Sequence, residues 1–154
     1  MLTPVSMPIS FVLLTSLALI SLGGGLYEVS VIDPVWPRRP DLIQPASGGI
    51  SRKRFWIPIH VAFELVLIGS IIRNWTVADL RSWLLLAFTS HAVMRVWSAV
   101  YFIPKALAFE RAEPGAISEE TARQWTRLSP LRFILDLVTC FAVLAAFVVA
   151  VRST

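Results

Sequence analysis

Residues Ser82–Pro104 read SWLLLAFTSHAVMRVWSAVYFIP. The stretch is long and apolar enough to cross a bilayer as one α-helix. It nevertheless holds His91 and, one turn later, Arg95, which share a face because residues four apart stack on a helix. A guanidinium near mid-membrane costs roughly 2.5–3.5 kcal/mol on insertion scales. Arg95 therefore needs partners from other segments, and three other apolar runs supply them.

Composition agrees with that starting point. The 154 residues are 56% hydrophobic and 16% charged, with a mean hydropathy of +0.69. Soluble domains average about 45–50% apolar and about 25% charged. The net charge of +4 and a pI near 10.0 would also suit a nucleic-acid binder. Here, however, the basic residues sit between apolar runs rather than on one patch, which membrane topology explains better, so no nucleic-acid partner is expected. Cys140 is the sole cysteine, which excludes an intrachain disulfide, a C-x-x-C redox pair and a cysteine zinc site. No nucleotide-binding glycine loop, nucleophile elbow or H-E-x-x-H pattern is present, which argues against hydrolases and nucleotide-driven machines.

The expected architecture is all-α, an integral membrane four-helix bundle forming a single domain over 1–154. Its spans lie at about 9–32, 55–72, 82–104 and 131–151. Phe11–Leu22 resembles the core of a signal peptide, but Met1–Ser10 has no basic residue and no A-x-A-like site follows, which favours a retained helix. Gly23–Gly25 lets neighbouring backbones or a ligand approach closely. The connector 33–54 has four prolines and a glycine pair that deny it a regular helix. The short link Arg73–Arg81 makes the second and third spans antiparallel neighbours.

The connector 105–130 predicts a short amphipathic helix on the membrane interface. Ser118 is its cap, Glu119 and Glu120 complement its dipole, and Glu119 pairs with Arg123. Ala122, Trp125 and Leu128 give its apolar side. The two long connectors carry nine Lys or Arg residues and Arg132 stands just beyond the second, ten on that side, against Arg73, Arg81 and Arg152 on the other. The positive-inside rule places both connectors in the cytoplasm and both termini opposite. Trp36 and Trp56 then mark the cytoplasmic interface, Trp75 and Trp83 the other.

At 1.5 Å per helical residue, Glu28, His60 and Asp136 fall roughly 6–8 Å from the cytoplasmic boundary. Glu64 and Arg95 both fall roughly 13 Å in, and His91 roughly 19 Å. These residues come from all four spans yet converge in one half of the membrane. Unpaired, the charged ones would cost as much as a typical domain's stability of about 5–15 kcal/mol, so they are expected to face inward and satisfy one another. Glu64 and Arg95 form the first expected pair. The cluster could serve only to fix helix register, or it could line a pocket open toward the cytoplasmic leaflet.

Three chemistries would use such a pocket. A metal could be held by His60, Glu64 and His91, although the E-x-x-H pair of di-iron bundles is absent and Arg95 would repel a cation. A bis-histidine haem needs both ligands at one level, whereas His60 and His91 differ by roughly 11 Å in depth. Acid–base chemistry on an apolar substrate needs no metal: a histidine takes the proton, a carboxylate orients it, and Arg95 stabilises the anion.

Two segments carry a resemblance. GGGLYEVSVIDPVWPRRP, a glycine-rich helix end followed by a tyrosine and a Pro-Trp pair, resembles small four-span membrane proteins that include the fungal anthrone oxygenases. WSAVYFIP is similar to the aromatic-to-proline end of the third helix in that family, although Lys105 and Ala106 stand where an asparagine often follows the proline. The resemblance implies an oxidoreductase, a monooxygenase that oxidises a lipophilic polycyclic phenol with O₂ and no dedicated cofactor. On that basis His60 or His91 would be the base, with Glu64 or Asp136 orienting it and Arg95 holding the phenolate. Tyr27, Glu28, Tyr101 and Trp97 would line the substrate site. The rival class is a small transporter or an accessory subunit of a larger membrane complex, with the ion-pair cluster structural; a transporter of this size would need to dimerise. An outward polar or small-residue face, with Gly23–Gly25 the candidate, would mark that class.

Overall fold

The computed structural model describes residues 9–113 and 115–152, all-helical with no strand among them. Most of the leader Met1–Ser10, on which the signal-peptide question turns, lies outside the described residues. Helix α1 (Ile9–Tyr27) runs on through a π turn at Glu28–Ile32. Three 3₁₀ turns at Trp36–Arg38, Pro40–Ile43 and Pro45–Ser47 lead to α2 (Lys53–Arg73). Helix α3 (Ala78–Trp97) passes through a second π turn, Ser98–Phe102, into α4 (Ile103–Arg111). Helix α5 covers Glu119–Arg152 without a break. Four helices are long and apolar enough to cross a membrane: Ile9–Ile32, Lys53–Arg73, Ala78–Arg111 and Glu119–Arg152.

Both π turns end two residues before a proline, Pro34 and Pro104. A proline has no N–H to give the carbonyl four residues back, and its ring crowds that carbonyl. In each turn the residue before the proline reaches one position further: Asp33 N–H donates to the Glu28 carbonyl at 2.8 Å, and Ile103 N–H to that of Ser98. The wider turn carries α3 past Pro104 instead of ending it there. Helix α5 likewise passes through Pro130.

These continuities change one expectation. No separate interfacial helix stands between the third and fourth long helices; its predicted residues are the first turns of α5. Ser118 Oγ does accept from the Thr121 N–H at 3.2 Å, and Arg123 Nε donates to Glu119 at 2.7 Å. Ala122 and Trp125, however, are buried against other protein side chains. A 34-residue helix is roughly 50 Å long, well beyond a hydrocarbon core of about 30 Å. The α3–α4 rod and α5 are therefore both longer than such a layer is thick, and they pack on each other at the connector end through Phe102, Phe109 and Trp125.

The helices form an up-down-up-down bundle in which α5 lies against α1 and α3, and α2 lies between α1 and α3. Two cores result. Around the start of α1, the end of α5 and the α2–α3 turn, Leu14, Leu67, Leu84, Ala142, Val143 and Ala146 make an apolar core. At the connector end Trp36, Ile43, Phe102, Phe109 and Trp125 make an aromatic one. Trp36, expected at a membrane interface, is instead fully buried, 5.3 Å from the Phe109 ring and 5.6 Å from Trp125.

The connector 33–54 is tied down rather than loose. Gln44 is buried, and its Nε2 donates to the carbonyls of Phe109 at 3.1 Å and Ala112 at 3.0 Å, capping the end of α4. Gly48 has φ +85°, and a Cβ on Gly49 would collide with the Asp41 carbonyl, so the glycine pair is needed for this close approach. In α1 the triplet divides by face. Gly23 meets open space, whereas Gly24 lies against Phe55 and Trp56, and Gly25 against Phe133 and Asp136.

Candidate functional site

A cavity of about 380 Å³ opens between α2 and the α3–α4 rod, in the connector half. Its size falls in the range of small-molecule sites, roughly 300–1,000 Å³. Aromatic and aliphatic side chains, among them Trp56, Phe102, Leu107 and Trp125, make most of the wall. Glu28, His60 and Arg95 contribute its polar groups, together with Arg52, Lys53, Glu110 and Arg132. The mouth is rimmed by exposed Ile57, Val61 and Ile103.

The helix register places each group. His60 sits one turn after Trp56 and stacks on its indole, with centroids 5.2 Å apart and an interplanar angle of 18°. Trp56 Nε1 donates to Glu28 Oε1 at 2.8 Å, so the π turn of α1 fixes the indole and through it the imidazole. His60 is buried, and its Nδ1 has no hydrogen-bond partner among the described residues. One turn further along α2, Glu64 Oε1 accepts from Arg95 Nε at 2.8 Å and lies 3.2 Å from His91 Nε2. The Glu64–Arg95 pair drawn from the sequence is thus present. It is half-buried rather than enclosed, at 35% side-chain exposure for each partner.

The depth estimate for the histidines fails. Counted along the helices they differ by roughly 11 Å, yet their ring centroids are 5.5 Å apart. Glu64 bridges between Arg95 and His91, which stand one turn apart on α3, so that turn of α3 lies level with Glu64. The π turn and the continuation past Pro104 also remove the point from which α3 was counted. His91 packs on Phe63 at 4.8 Å, behind the cavity wall.

The other expected site residues separate into two groups. Glu28 lines the cavity. Asp136 does not; it lies deeper, beside small gaps shared with His91, Cys140 and Gly25. Hydrogen bonds among His60, Asp136 and Glu28 are not formed. Tyr27 is exposed and away from the cavity. Tyr101 accepts from Lys105 Nζ at 3.0 Å, and Trp97 packs edge-on against Phe102 at 5.3 Å; neither lines the cavity. Among the described residues, no three His, Cys, Asp or Glu side chains converge as a metal site would require, His60, Glu64 and His91 included.

Arg52 and Arg132 were missed from the sequence as site residues, because they read as connector charges. Their signal was spacing: Arg132 lies four residues before Asp136 on the same helix, and Arg52 four before Trp56. Beyond the end of the α1 π turn, Asp33 is buried, its Oδ1 accepting from Trp36 Nε1 at 3.2 Å while Oδ2 has no partner. Burial pushes its pKa up from 3.8 to about 6.

Chemically, the wall offers an imidazole held by stacking, guanidinium groups and a largely apolar body. That combination suits proton abstraction from an acidic apolar molecule. Comparison with protein families, with curated proteins and with solved structures found no match to this chain.

Proposed function

We propose that the chain is an integral membrane protein that takes a lipophilic, weakly acidic small molecule from the bilayer into the cavity between α2 and α3–α4. Each long helix turns apolar side chains outward, as in the α2 stripe Ile57, Val61, Leu65, Ile68 and Ile72. Such continuous apolar surface is foreign to soluble monomers and natural in lipid. With nine basic residues on the connectors and Arg132 just beyond, the cavity end is cytoplasmic and both termini lie opposite.

The single observation that carries the functional reading is the cavity itself, apolar and side-opening, with His60 in its wall. In this reading His60, rather than His91, is the base, since His91 lies behind the wall and is engaged by Glu64. Glu64 and Arg95 hold the α2–α3 seam at the cavity's inner end. The resemblance to anthrone oxygenase-like proteins suggests the outcome: a polycyclic phenol deprotonated here gives a carbanion-like enolate able to react with O₂. Oxygen uptake by the purified protein with such a phenol tests this. His60→Ala should lower the rate by about 10²-fold or more. A rate unchanged in His60→Ala would refute the assignment.

One observation favours a second reading. Glu64 and Arg95, both part-exposed, sit beside the outward-facing Leu65, and a charged pair there is better covered than left facing lipid. A partner helix, from a second copy or another subunit, would do so. In that case the detergent-solubilised protein should run as a dimer or larger complex and dissociate in Glu64→Gln.

A further inference from the structure

The cations lining the cavity are not equally engaged. Arg95 is matched by Glu64 at 2.8 Å, and Lys53 by Glu110 at 2.7 Å across the mouth. Arg52 and Arg132 have no ion pair among the described residues. Each is instead laid over an aromatic ring of the same wall. The Arg52 guanidinium carbon is 5.1 Å from the Trp125 ring centre, and that of Arg132 is 4.5 Å from Phe102, the two rings being 5.3 Å apart. Stacking holds a guanidinium by its face and leaves its N–H edge free for a planar acceptor.

Three buried nitrogens on this wall find no hydrogen-bond partner in the protein: Arg52 Nη2, Arg132 Nε and His60 Nδ1. The two guanidinium nitrogens are buried donors of charged groups, costly to leave unmatched, and together on one cavity wall they mark a place built for an acceptor, with the His60 imidazole beside it free to take a proton. The carboxylates nearby do not supply that acceptor. Against Arg52 and Arg132 the wall sets one further carboxylate, Glu28, already engaged by Trp56. Asp136, which shares a small gap with Arg132, and Asp33 are both buried and near enough to act on Arg132, but neither makes an ion pair with it. These carboxylates offset the guanidiniums in charge but leave the buried Arg52 Nη2 and Arg132 Nε without a hydrogen-bond acceptor.

We infer that the cavity binds an organic anion, a carboxylate or phenolate on an apolar body, held by Arg52 and Arg132 rather than by Arg95. This rests on the cavity being the binding site proposed above. An acidic molecule that loses its proton to His60 would leave its charge beside these two guanidiniums, and no further cation need move.

The test is direct binding, followed by quenching of Trp56 and Trp125, which line the cavity. The probes are 9-anthracenecarboxylate and its neutral analogue 9-anthracenemethanol, titrated into the detergent-purified full chain. The wild type should bind the carboxylate about tenfold or more tightly than the alcohol. Arg132→Gln should abolish that preference while still binding the alcohol, and Arg132→Lys should restore part of it. If Arg132→Gln does not fold, Arg52→Gln reads the same quantity. Equal binding of both probes by the wild type would overturn the anion site and leave the cavity reading standing. Failure of both probes to bind would overturn the two together. Loss of the preference in Arg95→Gln but not in Arg132→Gln would move the anion to Arg95 and also overturn it. Displacement of the carboxylate probe by millimolar inorganic phosphate would mark a free-anion site and contradict an amphiphile.

Discussion

The two ends of the bundle are built differently. At the end that holds the start of α1 and the end of α5, Leu14, Leu67, Leu84 and Val143 interlock with small residues such as Ala87, Ala142 and Ala146, all essentially without solvent contact. At the connector end the helices are held by aromatic rings, a capping glutamine and ion pairs, and a cavity remains between α2 and α3–α4. Small and branched aliphatic side chains let helix backbones approach and fill space completely. Large rings and charged side chains hold them apart. One end is therefore suited to stability and the other to holding a guest.

That contrast can be broken at either end. In the apolar end, Leu84→Ala should cost about 2–5 kcal/mol, because a fully buried leucine leaves a void its neighbours cannot close. Chemical denaturation in mild detergent measures the loss, and binding per folded molecule should not change. A loss under about 1 kcal/mol would mean that this end is loosely packed and the contrast unfounded.

A smaller effect is expected from Asp33 in the connector end. Its pKa in the folded protein, about 6, lies above its ordinary 3.8, so the folded state holds the proton more tightly than the unfolded state does. Stability from this group is therefore full below about pH 4, declines as pH rises to about 6, and stays at its lower level above that. The whole span is at most about 3 kcal/mol. Asp33→Asn keeps an acceptor for Trp36 and should flatten the curve between pH 4 and 6, raising the melting temperature at pH 7. A wild-type stability that increases from pH 4 to 6 would contradict this.

Gln44→Ala sharpens the same comparison with an effect of about 1–3 kcal/mol, since it strips two carbonyls at the end of α4 of their donor. Hydrogen exchange should accelerate first at Ala106–Arg111, while amides near Leu84 and Val143 stay protected. Uniform acceleration would show that the two ends unfold as one unit.

The four long helices and the Glu64–Arg95 pair were legible because hydropathy and i,i+4 stacking are local properties of the chain. The aromatic core was not. Trp36 sits in a proline-rich segment that reads as a loop, and only tertiary contact with Phe109 and Trp125 buries it. The meeting of His60 and His91 was hidden by counting residues from helix ends that do not exist as ends. Two prolines read as stops are bypassed, one by a π turn and one inside α5. Arg52 and Arg132 were read only as topology charges, because sequence shows a cation's position but not whether a carboxylate reaches it.

The central claim is that the cavity beside His60 receives a lipophilic acid and acts on it. The most direct measurement is oxygen uptake with a lipophilic polycyclic phenol, comparing the wild type with His60→Ala and with Ala106→Trp, which fills the cavity from the α4 wall. The account predicts saturable uptake in the wild type that both variants lose while remaining folded. No uptake in the wild type, or uptake that survives the filled cavity, would contradict it.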